Sequence, residues 1–211
     1  MKTPAPRARA ELRVKASARL GAVALGLAAM HLLSLALDLL NHLLGVPAAA
    51  HQGAKNAISV ALIVASLLVW GAQRWRPWRS PWAFGAYHVA IALGMELSAQ
   101  LTPWPTPDAV HYELMRTISW TALWIVIFPL FVPTRPGPAA LTALVAALTG
   151  PLALLTTTLL GNPSPGLAAA LYVHGPTFLA AALAALTARL VYGLEREATA
   201  RRELGDYRLK E

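Results

Sequence analysis

One aspartate, one glutamate and four histidines stand inside stretches otherwise built from Leu, Ala and Val, and these residues have the means to do chemistry. Between residues 20 and 44, His31, Ser34, Asp38, Asn41 and His42 recur at spacings of three, four or seven. On a helix that spacing gathers them into one polar stripe. Further along, His88 and Glu96 fall within a quadrant of each other, and a single His174 directly precedes Gly175-Pro176. A carboxylate beside an imidazole can bind a cation such as zinc. It can also take up and release protons, since histidine titrates near neutrality.

Other chemistries have no residues to carry them. The chain has no cysteine, which removes disulfides, thiolate metal sites and cysteine nucleophiles. It contains no Gly-x-Ser-x-Gly elbow, no His-Glu-x-x-His and no phosphate-binding glycine loop. No catalytic residue is therefore named, and this chain by itself is not expected to be an enzyme. The polar groups keep a second reading, in which they hydrogen-bond between helices and fix which helices are neighbours. No two histidines stand at i and i+4, so the sequence names no particular metal.

The elements that must position these groups are apolar and long. Of 211 residues 56% are hydrophobic and only 13% charged, where a soluble domain has about 25% charged. Six stretches, at 20–44, 55–73, 82–101, 114–132, 138–160 and 167–190, approach or exceed the ~20 apolar residues that cross a bilayer. Leu and Ala dominate them, which favours helix. The expected fold is all-α, a polytopic bundle of six transmembrane helices occupying residues 20–190. Turn formers separate the spans: Gly45-Val46-Pro47, Pro77 and Pro81, Pro103 to Pro107, Pro133 to Pro138, and Gly161 to Gly166. The first stretch is too long for a signal peptide and carries polar groups, so it reads as a retained helix.

Charge orients the bundle. The net charge is +8, and Lys and Arg crowd residues 1–19 and the segment after the last span, with Arg74, Arg76, Arg79 and Arg135 in alternate loops. By the positive-inside rule both termini face the cytoplasm. The basic ends imply attraction to anionic headgroups of a bacterial inner membrane rather than to nucleic acid. At a rise of about 1.5 Å per residue, Asp38, Glu96 and His174 each fall about 6–9 Å to the outer side of the midplane. The expected site is a recess open to the outside, lined by Asp38, Glu96 and His174 with His31 or His42 nearby, for an external ligand not named by the sequence. Gly150-Pro151 and Gly175-Pro176 fall inside spans five and six, where they are expected to act as hinges.

Residues 191–211 form a cytoplasmic tail. Arg189 to Glu203 reads as a charged continuation of the last span, with Gly205 expected to stop it. Tyr207-Arg208-Leu209-Lys210-Glu211 then alternates like an opening β-strand, as if a further domain began there. The run Leu204-Gly205-Asp206-Tyr207-Arg208-Leu209-Lys210-Glu211 resembles the entry to bacterial Hanks-type serine/threonine protein kinases, where a Tyr-Arg-Leu strand leads into the nucleotide loop. Trp120 to Gly137 also resembles multi-span amino-terminal regions of such kinases. The resemblance implies a membrane sensor or anchor for a kinase domain missing from this chain. It implies a homodimer as well, with ATP and Mg needed only by that missing domain and no cofactor here. The alternative is a small transporter or channel using the buried Asp, Glu and His groups.

Overall fold

A computed structural model describes residues 6–46, 51–75, 80–101, 119–162 and 166–208. Its described residues form six helices: α1 (Pro6–Leu43), α2 (Gln52–Trp75), α3 (Pro81–Gln100), α4 (Trp120–Phe131), α5 (Pro136–Leu159) and α6 (Leu167–Arg208). No strand occurs among them. The described part of the chain is thus all-helical, and the helices follow the apolar stretches closely.

Local sequence sets the ends. Prolines open α3 and α5, where a missing N–H costs nothing. Ser119 caps α4 by accepting a hydrogen bond from the Ala122 backbone N–H at 3.1 Å. Gly45 ends α1 and Gly161 ends α5, both in the left-handed region, at φ 75° and 94°. In each case the glycine N–H and the next N–H turn back onto the last helical carbonyls, Val46 onto Asn41 at 2.9 Å and Asn162 onto Thr157 at 3.0 Å.

The packing is inside-out relative to a soluble bundle. On α6, Ala180, Ala181, Ala184 and Ala188 are buried while Leu179, Leu183, Leu186 and Leu190 are exposed. On α5 the buried face is Ala139, Ala143, Ala146, Ala147, Gly150 and Ala153, with Leu141, Leu144, Leu148, Leu152 and Leu155 outside. Small residues let backbones approach closely, and leucine outside suits hydrocarbon, the arrangement membrane helices adopt. Among the described residues four helical segments, Val14–Leu43, Gln52–Trp75, Pro136–Leu159 and Leu167–Ala198, are long and apolar enough to cross a membrane. The 20-residue α3 is diluted by His88, Glu96 and Gln100, all of which it buries. Of the expected span 114–132, residues 114–118 lie outside the described residues and α4 covers 12 positions.

α1 and α2 form an antiparallel hairpin, pinned by a Ser17–Gln73 hydrogen bond at one end and by Gln52 Nε2 donating to Asp38 Oδ2 at 2.8 Å near the other. α3 lies against α5 through Gly85, where a Cβ would collide with Thr142 Cγ2, and against α2 through Gly94 and Leu62. α6 packs mainly on α4 and α5 and reaches α1 through an Arg19–Glu195 ion pair at 2.7 Å. The core, including Leu20, Ala24, Ile91, Ile125 and Ala184, lies between these helices.

Two expectations are corrected. Gly205 does not stop α6, and Tyr207 and Arg208 are helical rather than the start of a strand; residues 209–211 lie outside the described residues. A strand needs a neighbour to satisfy its backbone, whereas a helix satisfies its own. Glycine inside a helix costs only about 1 kcal/mol, which helical neighbours outweigh. The basic segment 1–19 is likewise helical from Pro6, as the start of α1.

Candidate functional site

Glu96 of α3 and His174 of α6 meet at Gly150 of α5. A Cβ built on Gly150 would lie 2.5 Å from His174 Nδ1, 2.9 Å from its Cε1 and 3.4 Å from Glu96 Cδ. Glycine is required there because the imidazole occupies the space that a Cβ would take, with the carboxyl group in contact beside it. Both side chains are enclosed, Glu96 at 5% and His174 at 4% exposure.

Their surroundings differ. Glu96 is hydrogen-bonded by the side chains of Thr121 on α4 and Gln100 one turn along its own helix. A buried carboxyl group supported by two polar partners is far less costly than a bare one. His174 has no such support: among the described residues neither Nδ1 nor Nε2 has a hydrogen-bond partner. Only its backbone is engaged, the His174 carbonyl accepting from Thr177 Oγ1 at 2.6 Å.

The remaining expected groups do not join this pair. Asp38 is engaged by Gln52 near the α1–α2 turn, and His42 is exposed on the last turn of α1. His31 is half-buried, with Nε2 enclosed and without a hydrogen-bond partner among the described residues. Among the described residues no three His, Asp or Glu side chains gather closely enough to hold a metal ion. The polar stripe on α1 therefore serves the α1–α2 hairpin at Asp38, while the buried pair is built by α3, α5 and α6.

Comparisons with protein-family models, curated proteins and solved structures find no match. Function is accordingly inferred from the geometry of the helices and of the buried pair.

Both expected hinge pairs lie in continuous helix: α5 runs through Gly150-Pro151 and α6 through Gly175-Pro176. Pro151 and Pro176 are exposed, so their rings face away from the bundle while Gly150 faces in. Lacking an N–H, each proline leaves the carbonyl four residues earlier without its usual helical donor.

A second polar residue of α3, His88, belongs to an aromatic cluster. Its ring stacks on Phe128 at 4.3 Å and 5° and meets Trp124 edge-on at 5.6 Å. Trp124 Nε1 donates to the His88 carbonyl at 3.0 Å. Beside it, Tyr87 and Ser66 share a hydroxyl hydrogen bond of 2.9 Å between α3 and α2. These contacts are packing between α2, α3 and α4. The role of Thr121 and Gln100 as supports of Glu96 was missed from sequence, although Gln100 stands at i+4 from Glu96, the spacing at which helix side chains meet.

Proposed function

We propose that this chain is the membrane-embedded sensor or anchor of a transmembrane signalling protein, with six spans, both termini in the cytoplasm and a serine/threonine protein kinase as the output. One observation carries the reading. α6 is continuous from Leu167 to Arg208, so the buried His174 and the charged tail belong to a single helix. At about 1.5 Å per residue, His174 and Arg208 are ~50 Å apart along it, more than the ~30 Å hydrocarbon of a bilayer. A change in packing around His174 would displace the far end of the same rod.

The test uses the full-length protein. His174→Leu should alter autophosphorylation of the attached kinase, and inserting two glycines after Ala198 should abolish that alteration. Survival of the effect across the glycines would refute transmission through a rigid helix. Topology is tested separately. Because the chain has no cysteine, a single Lys210→Cys substitution can be probed with an impermeant maleimide. Labelling of intact cells would overturn a cytoplasmic tail.

The second reading, a small transporter or channel, is favoured by the meeting of two titratable side chains inside the bundle. It predicts ion flux into proteoliposomes that Glu96→Gln abolishes, where the sensor reading predicts none.

A further inference from the structure

A groove of about 430 Å³ runs between the middle of α1 and α4. That volume lies within the roughly 300–1,000 Å³ typical of small-molecule sites. On α1 its wall includes Arg19, Val23, Gly26 and Met30, and on α4 Leu123, Ile127 and Phe131. Among the described residues Arg19 is the only charged one in that wall. Met30, Leu123 and Phe131 are exposed along the rim, so the groove opens sideways from the bundle. It does so along Val14–Leu43, a segment apolar enough to cross a membrane. Gly26 helps to keep it open, since a Cβ built there meets nothing within 4 Å.

The α1 face that forms the groove does not stay apolar. Met30, Gly26, Ala22, Arg19 and Lys15 follow one another at intervals of three or four, so they stand in one row on the helix. From Met30 to Arg19 the row measures about 16 Å, close to half of the ~30 Å hydrocarbon of a bilayer. Its apolar part is therefore about as long as one leaflet is deep, and two cations follow it. The Arg19 side chain is 42% exposed, so its head can be reached from outside the bundle. Glu195 Oε1 engages its Nη2, but a guanidinium carries five N–H donors in a planar fork that suits phosphate oxygens. Lys15, Arg19 and Glu195 together leave one net positive charge. A neutral lipid would fill the wall and leave that charge without a counterpart, and a small soluble anion would do the reverse. A hydrocarbon chain that ends in an anion satisfies both.

We propose that the α1–α4 groove seats one acyl chain of an anionic phospholipid from the bilayer, with the phosphate on Arg19 and Lys15. The Arg19–Glu195 ion pair joins α1 to the charged part of α6 at this end of the bundle, so the lipid head would sit where the first helix meets the tail. The site needs neither the kinase output nor the Glu96–His174 pair, and it serves whichever leaflet this end of the bundle occupies.

The full chain, purified in a neutral detergent, would be equilibrated with equal amounts of phosphatidylglycerol and phosphatidylcholine bearing the same acyl chains, and the retained lipid counted by native mass spectrometry. Phosphatidylglycerol should be retained about fivefold over phosphatidylcholine, the ratio that one net positive charge supplies toward an anionic lipid. Lys15→Gln combined with Arg19→Gln should bring the two lipids level. Glu195→Gln breaks the same ion pair but keeps both cations, so it should retain at least as much phosphatidylglycerol as the wild type. That variant separates the charge of Arg19 from any loosening of α1 against α6. Gly26→Leu fills the groove from a position with open space, leaves both cations in place, and should lower retention of both lipids. Glycerol 3-phosphate, an anionic head without chains, should displace neither. Equal retention of the two lipids by the wild type, a preference that survives the double substitution, a loss in Glu195→Gln, undiminished retention in Gly26→Leu, or displacement by glycerol 3-phosphate would overturn the proposal.

Discussion

Replacing Gly150 by alanine isolates the contact on which the site depends. In an unconstrained helix the change stabilises by about 1 kcal/mol, the difference in helix propensity. In α5 the added methyl would come 2.5 Å from His174 Nδ1 and 2.9 Å from Cε1. Overpacking of this kind costs about 1–3 kcal/mol. His174 is 4% exposed and its backbone is fixed in α6, so retreat of the ring requires a rotamer change or a shift of the helix. The upper part of the range applies, giving a net destabilisation of about 1–2 kcal/mol after the propensity gain. The assay is SDS titration of the protein in mixed micelles, followed by circular dichroism. Gly71→Ala is the control, because nothing lies within 4 Å of its Cβ position, and it should stabilise by about 0.5–1 kcal/mol. In a His174→Ala background the Gly150→Ala penalty should vanish, a coupling of at least about 1 kcal/mol. A Gly150→Ala protein as stable as the wild type, or an unchanged penalty without the imidazole, would refute the close approach of α5 and α6.

Gly85→Ala should destabilise by about 1–3 kcal/mol through Thr142 Cγ2. Thr142→Ser, which removes that methyl, should recover much of the loss in the same titration. Glu96→Ala strands Thr121 and Gln100 and should cost about 2–3 kcal/mol, whereas Glu96→Gln keeps the shape and an acceptor and should cost under about 1 kcal/mol. Equal losses would show that neither partner matters. Arg19→Ala should cost under about 1 kcal/mol, and less at high salt, because the Arg19 side chain is 42% exposed. A salt-independent loss of several kcal/mol would place that ion pair in a far drier setting than the structure gives it.

Much of the fold was legible from residues 20–44, 138–160 and 167–190, where long runs of Leu and Ala leave helix as the structure that satisfies its own backbone in hydrocarbon. The glycine turns at Gly45 and Gly161 were legible too, since the left-handed conformation they adopt is one that other residues rarely take. The tail was misjudged because Tyr207 to Glu211 alternates over too few residues to distinguish a strand from the end of a helix. Periodicity also placed Asp38 and His42 on one stripe but could not say what that stripe faces.

What the sequence determined by itself was local: which segments are apolar and helical, where they turn, and which rare polar groups they carry. The tertiary structure decided which of those groups meet. Glu96, Gly150 and His174 are separated by 54 and 24 positions, and only the packing of α3, α5 and α6 brings them together. It also changed the meaning of Gly150, expected as a hinge and found as the space that an imidazole and a carboxyl group need. The physical reason is that a helix repeat fixes the direction of a side chain on its own axis, while the neighbour it faces depends on how small residues on several helices fit together.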